Sequence, residues 1–289
     1  MAEILITGGA GNFGRTLAQA LQREGHGLRI LDLPSCDFSF FNGWERTRIF
    51  QGDILNAASL TDAAAGADWV FHLAAILPPI SEVDRRRTFR INVDGTRSLL
   101  DTCVTAGGSP RVAFASSVSV FGDTSGQKGL IGPDHPINPD DCYAESKAAA
   151  EEVLVSSGLP CVNLRISAIS IPVFLDPPEP WPFTAKQRIE LVALADLVSA
   201  MVNLASTENA IGRTLLIAGG KTWQVTGEEY VRQWGEVMEI PILEMHFQDR
   251  PGWLNWYDTS ASQALLKYQN TNWGDFLDQL RAAVEEALA

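Results

Sequence analysis

Tyr143 and Lys147 stand four residues apart in the segment CYAESKAAAEE (142–152). On a helix this spacing puts both side chains on one face, about 5–6 Å apart. A phenol titrates near pH 10, too high for a base in neutral solution. A lysine ammonium close by, joined by the positive charge of a nicotinamide, favours the phenolate and draws that pKa down. The pair then exchanges a proton with a substrate oxygen while hydride moves between carbon and nicotinamide, and Lys147 also hydrogen-bonds the nicotinamide ribose. The same spacing suits two ordinary residues on a solvated helix, so their place in the chain decides. Upstream, the apolar run RVAFASS (111–117) ends in Ser116 and Ser117. A hydroxyl at the carboxyl end of such a strand is placed to hold a substrate oxygen.

A second device opens the chain. In EILITGGAGNFGRTLAQAL, Gly9, Gly11 and Gly14 satisfy GxGxxG, and Gly8, Gly11 and Gly14 satisfy GxxGxxG. Glycines there permit a tight turn and let backbone N–H groups approach a pyrophosphate at a helix N-terminus. The turn follows an apolar strand and opens a helix, the context that gives the motif its meaning. Asp32 ends the second apolar run, eighteen residues after Gly14. A carboxylate at that point accepts from the adenosine ribose hydroxyls and repels a 2′-phosphate, which favours NAD over NADP. Arg15 argues the other way, since an arginine can neutralise that phosphate, and a solvated first-turn residue is an equal account of it.

These devices need a sheet to carry them. Apolar runs at 3–7, 28–32, 47–51, 68–74, 111–116 and 160–165 read as strands buried on both faces of a parallel sheet. Helical patterns fall at 12–24, 56–65, 88–106 and 143–157, giving an α/β, doubly wound (Rossmann) fold. We expect residues 1–165 to form the NAD-binding domain with the Ser/Tyr/Lys site. Residues 166–289 are expected to form a smaller α/β substrate lobe, with some return of chain to the main sheet. That last third opens with a proline-rich loop (170–183) and continues as helix 193–205, strand 213–219, a helix from Thr226 to about Met238, and helical patterns at 258–267 and 273–288. It holds six of the eight tryptophans (Trp181, Trp223, Trp234, Trp253, Trp256 and Trp273), read mainly as aromatic core.

Composition excludes several classes. The net charge of −13 lacks the clustered Lys and Arg of a nucleic-acid surface. The one basic run, DRRRTFR (84–90), reads as a solvated helix start. Four scattered cysteines suggest neither a disulfide framework nor a zinc site, and no metal is expected. No run approaches a membrane span, the start does not read as a secretory signal, and a cytoplasmic protein is expected. His72, on a buried strand end, reads as a packed, hydrogen-bonded histidine rather than a base.

Taken together, TGGAGNFG, GDI (52–54), HLAA (72–75), NVDGT (92–96), SSVSVFG (116–122), YAESK (143–147) and LR (164–165) resemble, in order, the extended short-chain dehydrogenase/reductases of the NAD-dependent epimerase/dehydratase family. The resemblance implies that Ser117, the second serine of its motif, is catalytic together with Tyr143 and Lys147. It implies that Asp53 and Ile54 flank the adenine, and that Leu73, Ala74 and Ala75 line the cofactor channel. Gly8, Gly11, Asn12, Phe13, Gly14, Asp32, Asn92, Tyr143 and Lys147 complete the implied cofactor set. It further implies a homodimer through a four-helix bundle built from the helices near 88–106 and 143–157. Phe121 replaces the tyrosine usual in the serine motif, at little cost to the chemistry.

Two departures narrow the reaction. Dehydratases and decarboxylases of the family resemble one another in an acidic residue just after the catalytic hydroxyl, whereas Val118 and Ser119 stand here. The stretch after Arg165 lacks the family's asparagine and tyrosine, and only 22 residues separate it from Arg188, so the nucleotide clamp is short. We expect an NAD-dependent dehydrogenase oxidising a secondary alcohol of a sugar acid, sugar or other hydroxylated small molecule. Arg87 and Arg90 are candidates for a substrate carboxylate. A nucleotide-sugar epimerase is the alternative, and a dinucleotide sensor without turnover is the third reading.

Overall fold

A computed structural model of the chain describes residues 1–105, 108–241 and 244–289. Seven strands form one sheet: β1 Glu3–Thr7, β2 Gly27–Asp32, β3 Thr47–Gln51, β4 Trp69–His72, β5 Arg111–Ser117, β6 Cys161–Ile166 and β7 Thr214–Ile217. Their order is β7-β6-β5-β4-β1-β2-β3 and every pairing is parallel. The order reverses between β1 and β4, and a crevice for ligands opens there at the carboxyl ends. β7 brings the last third of the chain back to the sheet, beside β6.

Alternation along the strands builds both layers. Ile4 and Ile6 of β1 face helix α1 (Asn12–Arg23) and helix Leu194–Leu204, whose Leu17, Leu21, Leu197 and Met201 are fully buried. Leu5, with Val70 and Phe114, packs on α2 (Ala57–Ala64), α3 (Gly95–Thr105) and α4 (Cys142–Ser156).

The helix expected over 88–106 begins at Arg85 and is not uniform; Ala106 lies outside the described residues. A helical turn Arg85–Phe89 passes into a π-helical segment, Arg90–Asp94, before α3. Such a widened turn often marks a functional position, and here it presents Asn92. Asn92 Nδ2 donates to Ile76 O at 3.1 Å and to Ser146 Oγ at 2.9 Å, while its Oδ1 accepts from Ile76 N–H at 2.8 Å. One amide thus ties the tail of β4 to α4.

Four tryptophans of the last third (Trp181, Trp223, Trp234 and Trp273) are buried in one aromatic cluster, with Trp273 stacked on Tyr230 at 4.9 Å between centroids. Trp253 is half-buried at its edge, and Trp256, also half-buried, lies under the Arg188 guanidinium. Glu190 ties together the segments that follow β7. Its carboxylate, fully buried, accepts from Gly220 N–H, Gln224 Nε2 and Tyr257 N–H at 2.8–3.0 Å. Burial pushes its carboxyl up to about 7 against those three bonds. Among the described residues, no helix is long and apolar enough to cross a membrane.

Candidate active site

The glycine turn is shaped by contacts that admit no side chain. Gly8 has φ +70°, and a Cβ on it would stand 2.9 Å from Ala74 N. A Cβ on Gly14 would come within 2.4 Å of Gly8 O, so α1 sits directly on the turn. Leu73 and Ala74, just beyond β4, therefore lie against the turn, and Ala75 beside them is half-buried like both. Gly11 differs. It is the N-cap of α1 with no side-chain cap, and only Gly8 O, at 3.3 Å, is near its missing Cβ. The N–H groups of the first turn, beginning with Asn12 and Phe13, are left for an anion.

Asp32 ends β2 beside this turn. Its Oδ2 accepts from Ala10 N–H at 3.0 Å and its Oδ1 from Leu33 N–H at 2.8 Å, leaving lone pairs for ribose hydroxyls. Arg15 is engaged with the loop after β2: it donates to Asp37 O at 2.6 Å, and its guanidinium lies 5.8 Å from the centre of the Phe40 ring. Asp53 is half-buried and caps Leu55 N–H at 2.9 Å. Ile54 packs on α3 where Gly95 leaves room, since a Cβ there would stand 2.5 Å from Ile54 Cδ1. An open helix terminus and, at the end of the second strand, a carboxylate with lone pairs to spare fit a dinucleotide.

The two serines of β5 diverge because strand side chains alternate. Ser116 Oγ donates to Glu151 Oε1 at 2.6 Å, inside the α4 layer. Ser117 takes the other face, where its Oγ accepts from Ser119 N–H at 3.1 Å. Lys147 is buried, and its Nζ donates to Ala115 O at 2.6 Å. It lies 4.8 Å from the Phe114 ring centre and 5.8 Å from that of Tyr143. Burial lowers the Lys147 ammonium to about 8, opposed by Glu151 one turn further along α4. The Tyr143 phenol is pushed up, first by burial and then by the Asp141 carboxylate. The sequence reading has Lys147 draw it down. In the fold, an ammonium 5.8 Å from the ring and engaged with Ala115 O is outweighed by desolvation.

His72 is locked between β1 and α3. Its Nδ1 meets Thr7 Oγ1 at 2.7 Å and its Nε2 meets Thr96 Oγ1 at 2.9 Å. Thr96 donates its own proton to Asn92 O at 2.6 Å, so it accepts from Nε2–H, and Thr7 donates to Nδ1. Burial, with Lys147 nearby, lowers His72 to about 3, leaving it neutral. Arg87 and Arg90 are exposed, with no side-chain hydrogen bond or ion pair among the described residues. Nor, among the described residues, do three or more His, Cys, Asp or Glu side chains group as metal ligands.

Several members of the site went unnoticed in the sequence: Thr7 and Thr96 around His72, Glu82 and Ser146 around Tyr143, and Glu151 with Arg165 below Lys147. Thr7, Thr96, Ser146 and Arg165 lie inside the quoted motifs without a role of their own there, and Glu151 is the next four-residue step after Tyr143 and Lys147 on one helix face.

Residues 4–172 match the NAD dependent epimerase/dehydratase family. Over 164 residues the chain is 39% identical to D-erythronate dehydrogenase of Cupriavidus necator, covering 53% of this chain and 49% of that protein. Over 242 residues it is 24% identical to the human sterol-4-alpha-carboxylate 3-dehydrogenase, decarboxylating, covering 79% of this chain and 63% of that one. The matches thus span about half and under two thirds of these relatives' own lengths. Among solved structures, the fold superposes on MoeE5 in complex with UDP-glucuronic acid and NAD with a TM-score of 0.82 and 25% identity, covering 99% of each chain.

Proposed function

The chain belongs to the NAD-dependent epimerase/dehydratase family, and from that premise we propose that it is an NAD-dependent dehydrogenase oxidising a secondary alcohol of a small sugar acid. The observation that carries this reading is the placement of Ser117, Tyr143 and Lys147 at the carboxyl end of β5 and the start of α4, on a sheet whose first turn is open to a pyrophosphate. Ser117 would hold the substrate hydroxyl oxygen, and Tyr143 would take its proton. Lys147 would hold the nicotinamide ribose and favour the phenolate. NAD, when bound, accepts the hydride and adds a positive charge beside the phenol. Asp32, with Arg15 turned to Asp37, favours the unphosphorylated ribose and hence NAD over NADP.

The similarity to D-erythronate dehydrogenase supports a sugar acid, as does the short path after β6. Between Ile166 and Arg188 the chain forms no helix and a single two-residue strand, Ile169–Ser170, which is little material for a nucleotide clamp. The full-length likeness to MoeE5, solved with UDP-glucuronic acid and NAD, favours a nucleotide-sugar substrate and so keeps a second reading, a nucleotide-sugar epimerase. Incubation with NAD or NADP and a panel of D-erythronate, longer aldonates, polyols, UDP-glucose and UDP-glucuronate separates them. NADH accumulating with an aldonate is the expected result; isomerised sugar nucleotide without net NADH would replace the dehydrogenase by the epimerase. NAD binding with no turnover, and a ligand response unchanged by Tyr143→Phe, would point to a sensor.

A cytoplasmic homodimer completes the proposal. Arg90, Asp94, Arg97 and Asp101, exposed along the π-helical segment and α3, alternate in charge, and Glu152 and Val155 of α4 are exposed as well. Two copies related by a two-fold axis can pair these opposite charges. Sedimentation at micromolar concentration is expected to give twice the chain mass; a monomer there removes the dimer.

A further inference from the structure

The first turn of α4 leaves backbone N–H groups without helical partners, as every helix does. Asp141, the N-cap, satisfies one from within its own segment, accepting from Ala144 N–H at 2.6 Å. Two others are met from far away. Glu82 Oε2 accepts from Cys142 N–H at 2.9 Å, and its Oε1 accepts from Tyr143 N–H at 3.1 Å. Glu82 belongs to the short helix Ile80–Val83, in the crossover between β4 and β5, sixty-one residues before Tyr143. It is itself anchored: Ser81 Oγ donates to Glu82 Oε1 at 2.7 Å, and the buried Thr88 hydroxyl donates to Ser81 O at 2.9 Å.

The carbonyl side of Tyr143 is held from the same crossover. Ser146 Oγ donates to Tyr143 O at 2.7 Å, and Asn92 Nδ2 donates to Ser146 Oγ. Both backbone groups of the tyrosine are therefore tied to segment 76–96, Glu82 directly and Asn92 through Ser146. Charge-assisted bonds from a carboxylate to two adjacent N–H groups are directional, and negative charge suits the positive end of the helix. They restrict the rotation and advance of the first turn, the two motions that would swing the phenol off line.

We propose that Glu82 is a positioning residue for Tyr143, its carboxylate fixing the first turn of α4 from the crossover after β4. This rests on the reading of Tyr143 as the proton carrier. A displacement of about 1 Å at a reacting group costs on the order of 100-fold in rate, so partial loss of alignment is expected to cost about tenfold or more.

Glu82→Ala is compared with Glu82→Gln, which keeps one accepting oxygen, and with Arg85→Ala, which breaks the exposed Arg85–Glu145 ion pair and leaves both N–H groups satisfied. NADH formation from NAD and D-erythronate is measured alongside hydrogen exchange of the 142–145 amides. The expected result is a kcat about tenfold lower or more in Glu82→Ala, with both KM values within about twofold of the parent. Glu82→Gln is expected to fall in between, Arg85→Ala to stay within about twofold, and amide exchange to quicken only in the Glu82 variants. A kcat within twofold in Glu82→Ala, a rise confined to KM, or an equal loss in Arg85→Ala overturns the assignment. If those results come with an inactive Tyr143→Phe, only the role of Glu82 falls. An active Tyr143→Phe, or a parent protein forming no NADH from any alcohol of the panel, overturns the reading beneath it.

Discussion

Tyr143→Phe is expected to lower NADH formation by about 100- to 10,000-fold, the span of general acid–base catalysis, while NAD still binds. Phenylalanine keeps the ring and removes only the oxygen that carries the proton. The pH dependence separates this role from packing. Burial and Asp141 hold the phenol above its usual value, so oxidation of the alcohol is expected to quicken as pH rises. Lys147, lowered to about 8 by burial, loses its charge as pH passes that value, and its pull on the phenolate fades there. The rate should therefore climb toward pH 8 and then level or fall. Removing the cation with Lys147→Met disfavours the phenolate, so the rising limb should move to higher pH. In Tyr143→Phe no such limb should remain. Turnover retained within tenfold in Tyr143→Phe, or a rising limb unmoved in Lys147→Met, would remove the pair from the chemistry.

Arg165→Met is expected to destabilise the fold by about 3–5 kcal/mol, the cost of leaving one member of a buried ion pair unpaired. Arg165 and Glu151 are both buried, their side chains 7% and 8% exposed, and joined by two bonds of 3.0 and 2.7 Å. Arg165 also donates to Pro133 O at 2.8 Å, and Glu151 accepts from Ser116. Without the guanidinium, Glu151 keeps only the Ser116 hydroxyl. Replacing both partners removes the stranded charge, so Glu151→Leu/Arg165→Met should lose less than Arg165→Met alone. Urea unfolding of the parent, Arg165→Met, Glu151→Leu and the double variant tests this. A single variant within 1 kcal/mol of the parent, or a double variant as unstable as the sum of its singles, would show that the pair does not act as a unit. The consequence reaches the site, because Glu151 is the group that opposes the lowering of Lys147. Stability of α4 and the charge on Lys147 therefore depend on one buried carboxylate.

Much of this protein was readable along the chain because the relevant physics is local. Strands buried on both faces must be apolar throughout, so six of the seven strands of the sheet stood out from EILIT to PCVNLR, and RTLLIAG stood out as a strand whose sheet was open. Gly8, Gly11 and Gly14 announced a turn by their spacing, and at Gly8 and Gly14 no other residue fits without strain or clash, while Tyr143 and Lys147 paired because a helix repeats every 3.6 residues. What the tertiary structure alone decided involves groups far apart in sequence or the loss of water around them. Nothing near Glu82 predicts that it caps Tyr143, sixty-one residues on; the β4–β5 crossover has to fold back across α4 first. Arg15 is turned to Asp37 by the loop after β2, not by its own helix. The pairing of Glu151 with Arg165 follows from the register of β5 beside β6, which sets Ser116 opposite Arg165. The direction of the Tyr143 pKa likewise belongs to the fold, since desolvation is a property of what surrounds a group. Spacing brings an ammonium to the same helix face as a phenol, but packing decides how much water each one keeps.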